Sequence, residues 1–396
     1  LLSLRAIKPE IMQKLSTSQL RLGIVAGGQL GKMLIQEASK WDIETFVLDN
    51  DPTCPAKSIA SHYFQGNHLD YDALLNLGRN VDILTYELEN VNLKALKTLK
   101  NEGIVVKPDP EILEIIQDKG LQKLFFEQHN IPTAPFKLYE NGSGIISAIE
   151  AQELSLPFVQ KLLRGGYDGR GVCVIQDRDD LKQLFDKPSV VEQKIDIAKE
   201  IAILVARNQE GETRCYQPVE MVFDPKANLL DRLFSPALIS NEIKKQLFEL
   251  SEKIAHQLQY EGVLAIEYFL GTDNQIYVNE MAPRPHNSGH HTIESAATSQ
   301  FEQHLRGILN LPLGSTQLLK PAVMVNILGN PGYEGHVKYI GLDQIFAIEG
   351  SYVHLYGKKI TKPYRKMGHI TILGENLEEA LSKADEVKFK LKVISD

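Results

Sequence analysis

The chain has 396 residues, 43% of them hydrophobic and 24% charged, which is enough to bury two or three cores and excludes a disordered polymer. Lys plus Arg number 43 against 51 Asp plus Glu, a net charge of −8, which argues against non-specific nucleic-acid or membrane binding but not against a local basic pocket. No apolar run reaches the roughly 18 residues that cross a bilayer, and Cys54, Cys173 and Cys215, without metal-like spacing, read as reduced thiols of a cytoplasmic protein. Leu1-Leu2-Ser3-Leu4-Arg5 is too short for a signal-peptide core, and Met12 is a candidate native start.

An apolar strand over 20–24 meets Ala26-Gly27-Gly28-Gln29-Leu30-Gly31. A helical pattern follows through Met33, Leu34, Ile35 and Ala38, and 44–49 reads as a buried strand ending in Asp49. Strand, glycine turn, helix and strand make a βαβ unit. Strands over 81–86, running into Glu87-Leu88-Glu89-Asn90, and 103–106 extend it into a small parallel α/β unit with chemistry at its strand ends. A single helix is expected over 111–128, ended by Asn130-Ile131-Pro132-Thr133-Ala134-Pro135, which marks a boundary. Strands over 158–161 and 172–175 flank the loop Arg164-Gly165-Gly166-Tyr167-Asp168-Gly169-Arg170-Gly171, and 190–193 and 200–206 are further strands. An amphipathic helix over 241–258 precedes strands over 263–270 and 275–281; the tail beyond 320 mixes short strands with a helix over 377–390.

The first glycine turn admits three readings. Against the dinucleotide pattern, Ala26 takes the first glycine place, Gly28 and Gly31 the others, and Asp49 stands at the distance of a ribose-binding acid. It also fits a tight turn that binds nothing, or helix-start amides that hold a substrate phosphate. The second loop, with four glycines from Gly165 to Gly171, Lys161 before it and Arg170 inside, reads as a flap over polyphosphate rather than a plain hairpin tip.

A two-residue turn at Asp273-Asn274 pairs Leu270 with Tyr277 and sets Glu267 opposite Glu280 on one sheet face. Two such carboxylates repel unless a cation lies between them, and carboxylates with phosphate oxygens make a Mg²⁺ site; otherwise one of the pair is exposed or protonated. Ala282-Pro283-Arg284-Pro285-His286-Asn287-Ser288-Gly289-His290-His291 follows at once. Arg284 reads as an anchor for a planar anion, and the histidines as structural or supporting groups before catalytic ones.

Together these residues resemble the ATP-grasp superfamily. The resemblance is carried by Lys119, Lys161, the glycine flap, Val190-Val191-Glu192-Gln193-Lys194-Ile195, Glu200 and the Glu267/Glu280 pair. Within it, Gly166-Tyr167-Asp168-Gly169-Arg170-Gly171, Asn279-Glu280-Met281-Ala282-Pro283-Arg284-Pro285-His286-Asn287-Ser288-Gly289-His290 and Arg365-Lys366-Met367-Gly368-His369 resemble the 5-(carboxyamino)imidazole ribonucleotide synthetases of purine biosynthesis. The likeness runs from about residue 20 to the C-terminus. Ala26 and Met221 stand where the family usually has Gly and Asn, and Lys119 where some members carry Arg.

The resemblance implies an α/β ATP-grasp fold. A Rossmann-like parallel-sheet domain would cover 20–110, an ATP-grasp domain 111–318 with a small α+β lid at about 132–194, and a C-terminal α+β domain 319–396. It implies a ligase that joins bicarbonate to the exocyclic amine of 5-aminoimidazole ribonucleotide through carboxyphosphate, while ATP becomes ADP and phosphate. ATP would meet Lys119, Lys161, the flap residues Gly166, Tyr167, Asp168, Gly169, Arg170 and Gly171, the backbone of Glu192, Gln193, Lys194 and Ile195, and Glu200, Asn279 and Glu280. Glu267 and Glu280 would hold Mg²⁺, or Mn²⁺ in its place. Arg284 would hold bicarbonate, Asp168 would touch the aminoimidazole amine, and these two with Lys161 would carry the chemistry. The ribonucleotide would lie against Gln29, Leu30, Glu87, Tyr167, Asp168, Arg284, His286, Asn287 and Ser288. Lys358 and Arg365 would grip its phosphate; without the resemblance they read as a solvated basic loop.

The implied protein is a cytoplasmic homodimer that takes small molecules and neither nucleic acid nor membrane. Another ATP-grasp ligase is the main alternative, although the Met-Lys-Met biotinyl site of a biotin-dependent carboxylase is missing from this sequence. An NAD-binding oxidoreductase leaves Lys161, the flap and the carboxylate pair unexplained. A nucleotide sensor has no need of a transfer-competent metal site.

Overall fold

A computed structural model of the chain describes residues 8–166, 171–224 and 229–396. The first unit is a five-stranded parallel sheet in the order His62–Gln65, Glu44–Asp49, Arg21–Val25, Ile83–Tyr86, Val105–Val106. Its central strands are apolar without alternation because both faces are covered: Leu22, Ile24, Val25, Val47, Leu48, Ile83 and Leu84 are all fully buried. The helix Gln29–Ala38 starts directly at the end of the first strand.

This unit is fastened to the rest by the helix Gln300–Ile308. Its Phe301, Leu305 and Ile308 share one core with Leu30, Met33 and Leu34. Beside it, fully buried His304 joins both sides: Nδ1 accepts the Val263 N–H (3.1 Å) and Nε2 lies 3.2 Å from Thr85 Oγ1.

The segment expected as the lid is a four-stranded antiparallel sheet, Phe136–Tyr139, Ser189–Gln193, Phe158–Leu162, Val172–Ile175 in spatial order, with the helix Gly142–Glu150 on one side. The large antiparallel sheet runs Ile276–Ala282, Gly262–Gly271, Ile197–Arg207, Val219–Asp224, Leu229–Ser235, Ala322–Leu328, Lys366–Leu373, Ser351–Leu355, with Thr213–Cys215 as a side branch. The C-terminal strands therefore continue the central sheet, through pairs such as Leu233 with Met324. One face of its first part is sealed by the helix Asn241–Gln257, whose Leu247 and Ile254 pack on Ile201, Ile203, Leu264, Ile266 and Tyr268. The residues that alternate with these, Glu200, Ala202 and Glu267, face the opposite way, into the cleft under the lid.

Two expectations are corrected. The helix over 111–128 is two helices, Pro110–Gln117 and Lys119–Gln128. Asp118 adopts an extended conformation between them, and its carboxylate accepts the Gly120 and Leu121 N–H groups, so it caps the second helix and starts it at Lys119. The hairpin before Glu280 turns through three residues, Thr272-Asp273-Asn274, because Gly271 pairs with Gln275 and Asn274 takes the left-handed conformation at φ 60°. Leu270 therefore faces Ile276, not Tyr277. A bulge at Asn279 then shifts the register by one, and Glu267 does stand opposite Glu280. Among the described residues no helix is long and apolar enough to cross a membrane.

Candidate active site

The cleft is organised around the carboxylate pair. Lys119, placed at the first turn of its helix by the Asp118 cap, donates to Glu280 Oε2 at 2.6 Å. His286 Nε2 lies 3.8 Å from Glu267 Oε1. Burial, and after it the charge of Glu280, pushes the Glu267 carboxyl well above the ordinary carboxylate range. Lys119 holds Glu280 well below it. Glu280 thus keeps its charge with an ammonium group directly beside it, whereas Glu267 has the His286 ring at 3.8 Å and feels Lys119 and Lys161 from farther off. Two oxygen-donor carboxylates in direct opposition fit a hard divalent cation, whose charge would serve both. Among the described residues no cluster of three or more His, Cys, Asp or Glu could hold a metal ion alone, and a Mg²⁺ site of one or two carboxylates takes its remaining ligands from phosphates and water.

The bulge has a chemical result. In a regular strand, neighbours point to opposite faces, whereas here consecutive Asn279 and Glu280 both meet lysines of the cleft. Asn279 Oδ1 accepts from Lys161 Nζ at 2.9 Å. Lys161 also lies 2.8 Å from Glu192 Oε2, and Lys123 lies 2.9 Å from Glu192 Oε1. Glu192 sits in the middle of the lid sheet, paired with Phe136 on one side and Val159 on the other, so it gives the cleft a carboxylate rather than a free backbone edge. The Gln193 N–H is likewise committed to Pro135 O (2.8 Å), leaving Lys194 and Ile195 as the first residues past the ladder. Glu200 stands beside Phe269 on the cleft face, its carboxyl pushed up by burial. Lys123 was not foreseen; its one sequence signal is that it follows Lys119 at helical i+4 spacing, on the same helix face.

The flap strands join at Lys161 and Val172, and Leu162 donates its N–H to Gly171 O. Gly165 (φ 79°) and Gly171 (φ 75°) adopt conformations that favour glycine, with Gly166 between them. Tyr167, Asp168, Gly169 and Arg170 lie outside the described residues.

Arg284 is mostly buried and pairs with Glu89 (Nη2 to Oε1, 2.6 Å), a partner from the first unit that sequence reasoning did not assign. Its Nη1 donates to Pro285 O (3.0 Å), and its buried Nε has no hydrogen-bond partner among the described residues. His286 Nδ1 lies 2.9 Å from Ser288 Oγ. Ser288 is 1% exposed, so it reaches the cleft through that ring, while Asn287 is half-buried beside it. His290 is buried and stacked on His369 at 4.6 Å, a structural position.

At the first glycine turn, Glu87 fills the helix start. It accepts from Gly28 N–H at 2.5 Å and from Gly31 N–H. No described hydrogen bond engages the neighbouring Gln29 and Leu30 amides at the helix start. Asp49 closes on the turn, accepting from Gly27 N–H (2.7 Å) and Asp51 N–H (2.8 Å), so the ribose-binding role of a dinucleotide site is taken up by backbone contacts. The C-terminal segment comes alongside: Lys358 Nζ donates to Lys366 O (2.8 Å) and Arg365 Nη1 to Ile360 O (2.7 Å). Burial, then the Arg365 charge, pushes Lys358 down to about 8, with Glu87 opposing that shift. Lys32, also unforeseen, donates to Leu355 O (3.2 Å) at the same seam.

Three family models match: a ribonucleotide synthetase preATP-grasp domain over 20–117, an ATP-grasp domain over 124–301 and a phosphoribosylaminoimidazole carboxylase C-terminal domain over 322–383. The N5-carboxyaminoimidazole ribonucleotide synthase of Bacillus subtilis is 35% identical over 362 residues, 90% of this chain and 92% of that protein. The crystal structure of the N5-carboxyaminoimidazole ribonucleotide synthetase from Thermotoga maritima superposes with a TM-score of 0.88 at 43% identity, covering 95% of this chain and all of that one. That of the Aspergillus clavatus synthase, in complex with ADP and 5-aminoimidazole ribonucleotide, superposes at 0.85 with 30% identity, covering 93% of this chain and 98% of that one.

Proposed function

This chain belongs to the N5-carboxyaminoimidazole ribonucleotide synthases, ATP-grasp ligases of purine biosynthesis, and from that premise we propose how its own residues carry the reaction. The observation that carries the reading is the Glu267/Glu280 pair with Lys119 and Lys161 on the same cleft face. ATP lies there with its phosphates on the two lysines and its base beyond Lys194 and Ile195, the ribose hydroxyls facing Glu200. Glu267 and Glu280 hold Mg²⁺, which when bound neutralises the polyphosphate charge during transfer.

Bicarbonate is a weak electrophile, and transfer of the γ-phosphoryl group to it gives carboxyphosphate. Arg284 holds the planar anion: its unpartnered Nε and the edge now on Glu89 supply donors in a fixed fork. Glu89 keeps that guanidinium charge compensated until the anion arrives. The flap, with Tyr167, Asp168, Gly169 and Arg170, closes over the cleft and keeps water from carboxyphosphate, and Asp168 receives the aminoimidazole amine. The ribonucleotide phosphate lies between the Gln29 and Leu30 amides on one side and Lys358 and Arg365 on the other. Glu87, and His286 with Asn287 and Ser288, face its sugar and ring. The protein works in the cytoplasm as a homodimer, its domains divided near 110 and 319 with a lid over 132–194.

The test is phosphate release from ATP. Release that requires both bicarbonate and 5-aminoimidazole ribonucleotide is expected. Release with a different carboxylate–amine pair, and none with this one, would move the chain to another ATP-grasp ligase.

A further inference from the structure

Lys123 plays no part in the contacts assigned above, yet it is 3% exposed. Its ammonium forms an ion pair with Glu192 Oε1 at 2.9 Å and donates a hydrogen bond to Thr133 Oγ1 at 2.5 Å. The Thr133 hydroxyl in turn donates to Val278 O (2.7 Å) on the carboxylate hairpin, so Lys123 is fixed at both ends. The other oxygen of Glu192 holds Lys161, which reaches onward to Asn279 beside Glu280. Glu192 is 4% exposed, too buried to keep its charge without a cation beside it.

Lys161 therefore serves two anions in turn, Glu192 before the nucleotide arrives and phosphate after it. Were it the sole partner of Glu192, moving it would strand a buried carboxylate, and nucleotide binding would have to break a buried ion pair uncompensated. Building on the reading that Lys161 contacts the phosphates, we propose that Lys123 is a positioning residue. It is the resident counter-ion of Glu192 that lets Lys161 pass to the nucleotide. The geometry divides the labour. Lys123 is tethered by Thr133, whereas Lys161 donates to the Asn279 amide oxygen, at the edge of the phosphate site, and lies over the Phe269 ring. The two ammonium groups also repel across Glu192, which favours release of the one with somewhere to go.

The experiment is calorimetric titration of the full chain with Mg-ADP, using wild type, Lys123→Met, Glu192→Gln and the double variant. A wild type that fails to bind Mg-ADP overturns the nucleotide site itself, not this assignment. With binding established, Lys123→Met is expected to weaken it by about tenfold or more, because Glu192 then retains Lys161. The double variant, in which no buried carboxylate competes for Lys161, is expected to bind about as Glu192→Gln alone does, whatever that level is, and more tightly than Lys123→Met. Lys123→Met binding like wild type, or a double variant as weak as Lys123→Met, overturns the proposal. If Lys123→Met does not fold, Glu192→Gln and the double variant decide: equal binding by the two supports it, and a double variant about tenfold weaker than Glu192→Gln overturns it.

Discussion

Ala26 holds φ 71°, a left-handed conformation in which an L side chain costs about 1–2 kcal/mol. Glycine would remove that strain, but would lose about 0.4–1 kcal/mol to the greater freedom of the unfolded chain and about 0.8 kcal/mol from a methyl group that is now buried. The effects nearly cancel, which is why alanine can stand where the turn wants glycine. Ala26→Gly should therefore leave stability within about 0.5 kcal/mol of wild type, while Ala26→Val, β-branched in that conformation, should lose about 2 kcal/mol or more. Denaturant midpoints measure both, and a clear gain in Ala26→Gly would show the strain term to be larger than assumed. Lys358 gives a pH prediction. Its value is depressed to about 8, so the folded chain binds fewer protons than the unfolded chain between about 8 and 10.5. Lys358 thus detracts from stability below about 8, and that loss is recovered as the pH rises through the window. The role proposed for it runs the other way, since only the ammonium form can grip phosphate. kcat/KM for the ribonucleotide should fall as the pH rises through about 8, and Lys358→Met should lose that limb. A limb that persists in Lys358→Met belongs to another group.

Asp118 interrupts what would otherwise be one helix, and the interruption places Lys119 at the cleft. Asp118→Ala removes the cap and an ion pair to Arg164 (2.9 Å) at the base of the flap. A loss of about 0.5–2 kcal/mol in stability is expected. KM for ATP should rise more than KM for the ribonucleotide, because Lys119 loses its anchored start; equal rises would mean that the cap serves only the fold. This break was hidden in the sequence because the apolar helical pattern continues through Ile112, Leu113, Ile116 and then Phe125 and Phe126, all in the core. The Asp-Lys-Gly signal was present but weaker than the pattern around it. The carboxylate hairpin was legible for a different reason. Counting from a two-residue turn gave the right Glu267–Glu280 pair only because the longer turn and the Asn279 bulge offset each other by one residue. Neither feature has a strong sequence mark: Asn274 hints at the left-handed turn, and nothing local announces the bulge. Lys123 and Glu89 were missed because their importance lies in partners far along the chain, Glu192 and Arg284.

Across the whole molecule, the inner strands of the parallel sheet were readable from their unbroken apolar runs and the glycine turn, whereas its edge strand His62–Gln65, polar and partly exposed, was not. The continuation of the central sheet into the C-terminal segment was not, since the pairing of Leu229–Ser235 with Ala322–Leu328 is set by tertiary packing rather than by any short-range pattern. That continuation matters to function. It holds the Ser351–Leu355 and Lys366–Leu373 strands rigidly against the first unit, where Lys32 meets Leu355 O. Through it, the loop carrying Lys358 and Arg365 comes from the other end of the chain to the first glycine turn, where Glu87 acts on Lys358 and Arg365 on Asp51. The ribonucleotide phosphate would thus be gripped by two segments joined only through the fold, at a place separate from Lys119 and Lys161. Arg365→Ala should cost one charge-assisted contact, about 1.5–3 kcal/mol, or roughly ten- to a hundred-fold in KM for the ribonucleotide. Its one described side-chain hydrogen bond, to Ile360 O, is exposed, and its backbone bonds do not depend on the side chain, so the melting temperature should stay near that of wild type. KM for ATP should hardly change. A rise in KM for ATP with an unchanged value for the ribonucleotide would assign the C-terminal loop to the nucleotide site, and would leave the Gln29 and Leu30 amides without an opposing cation.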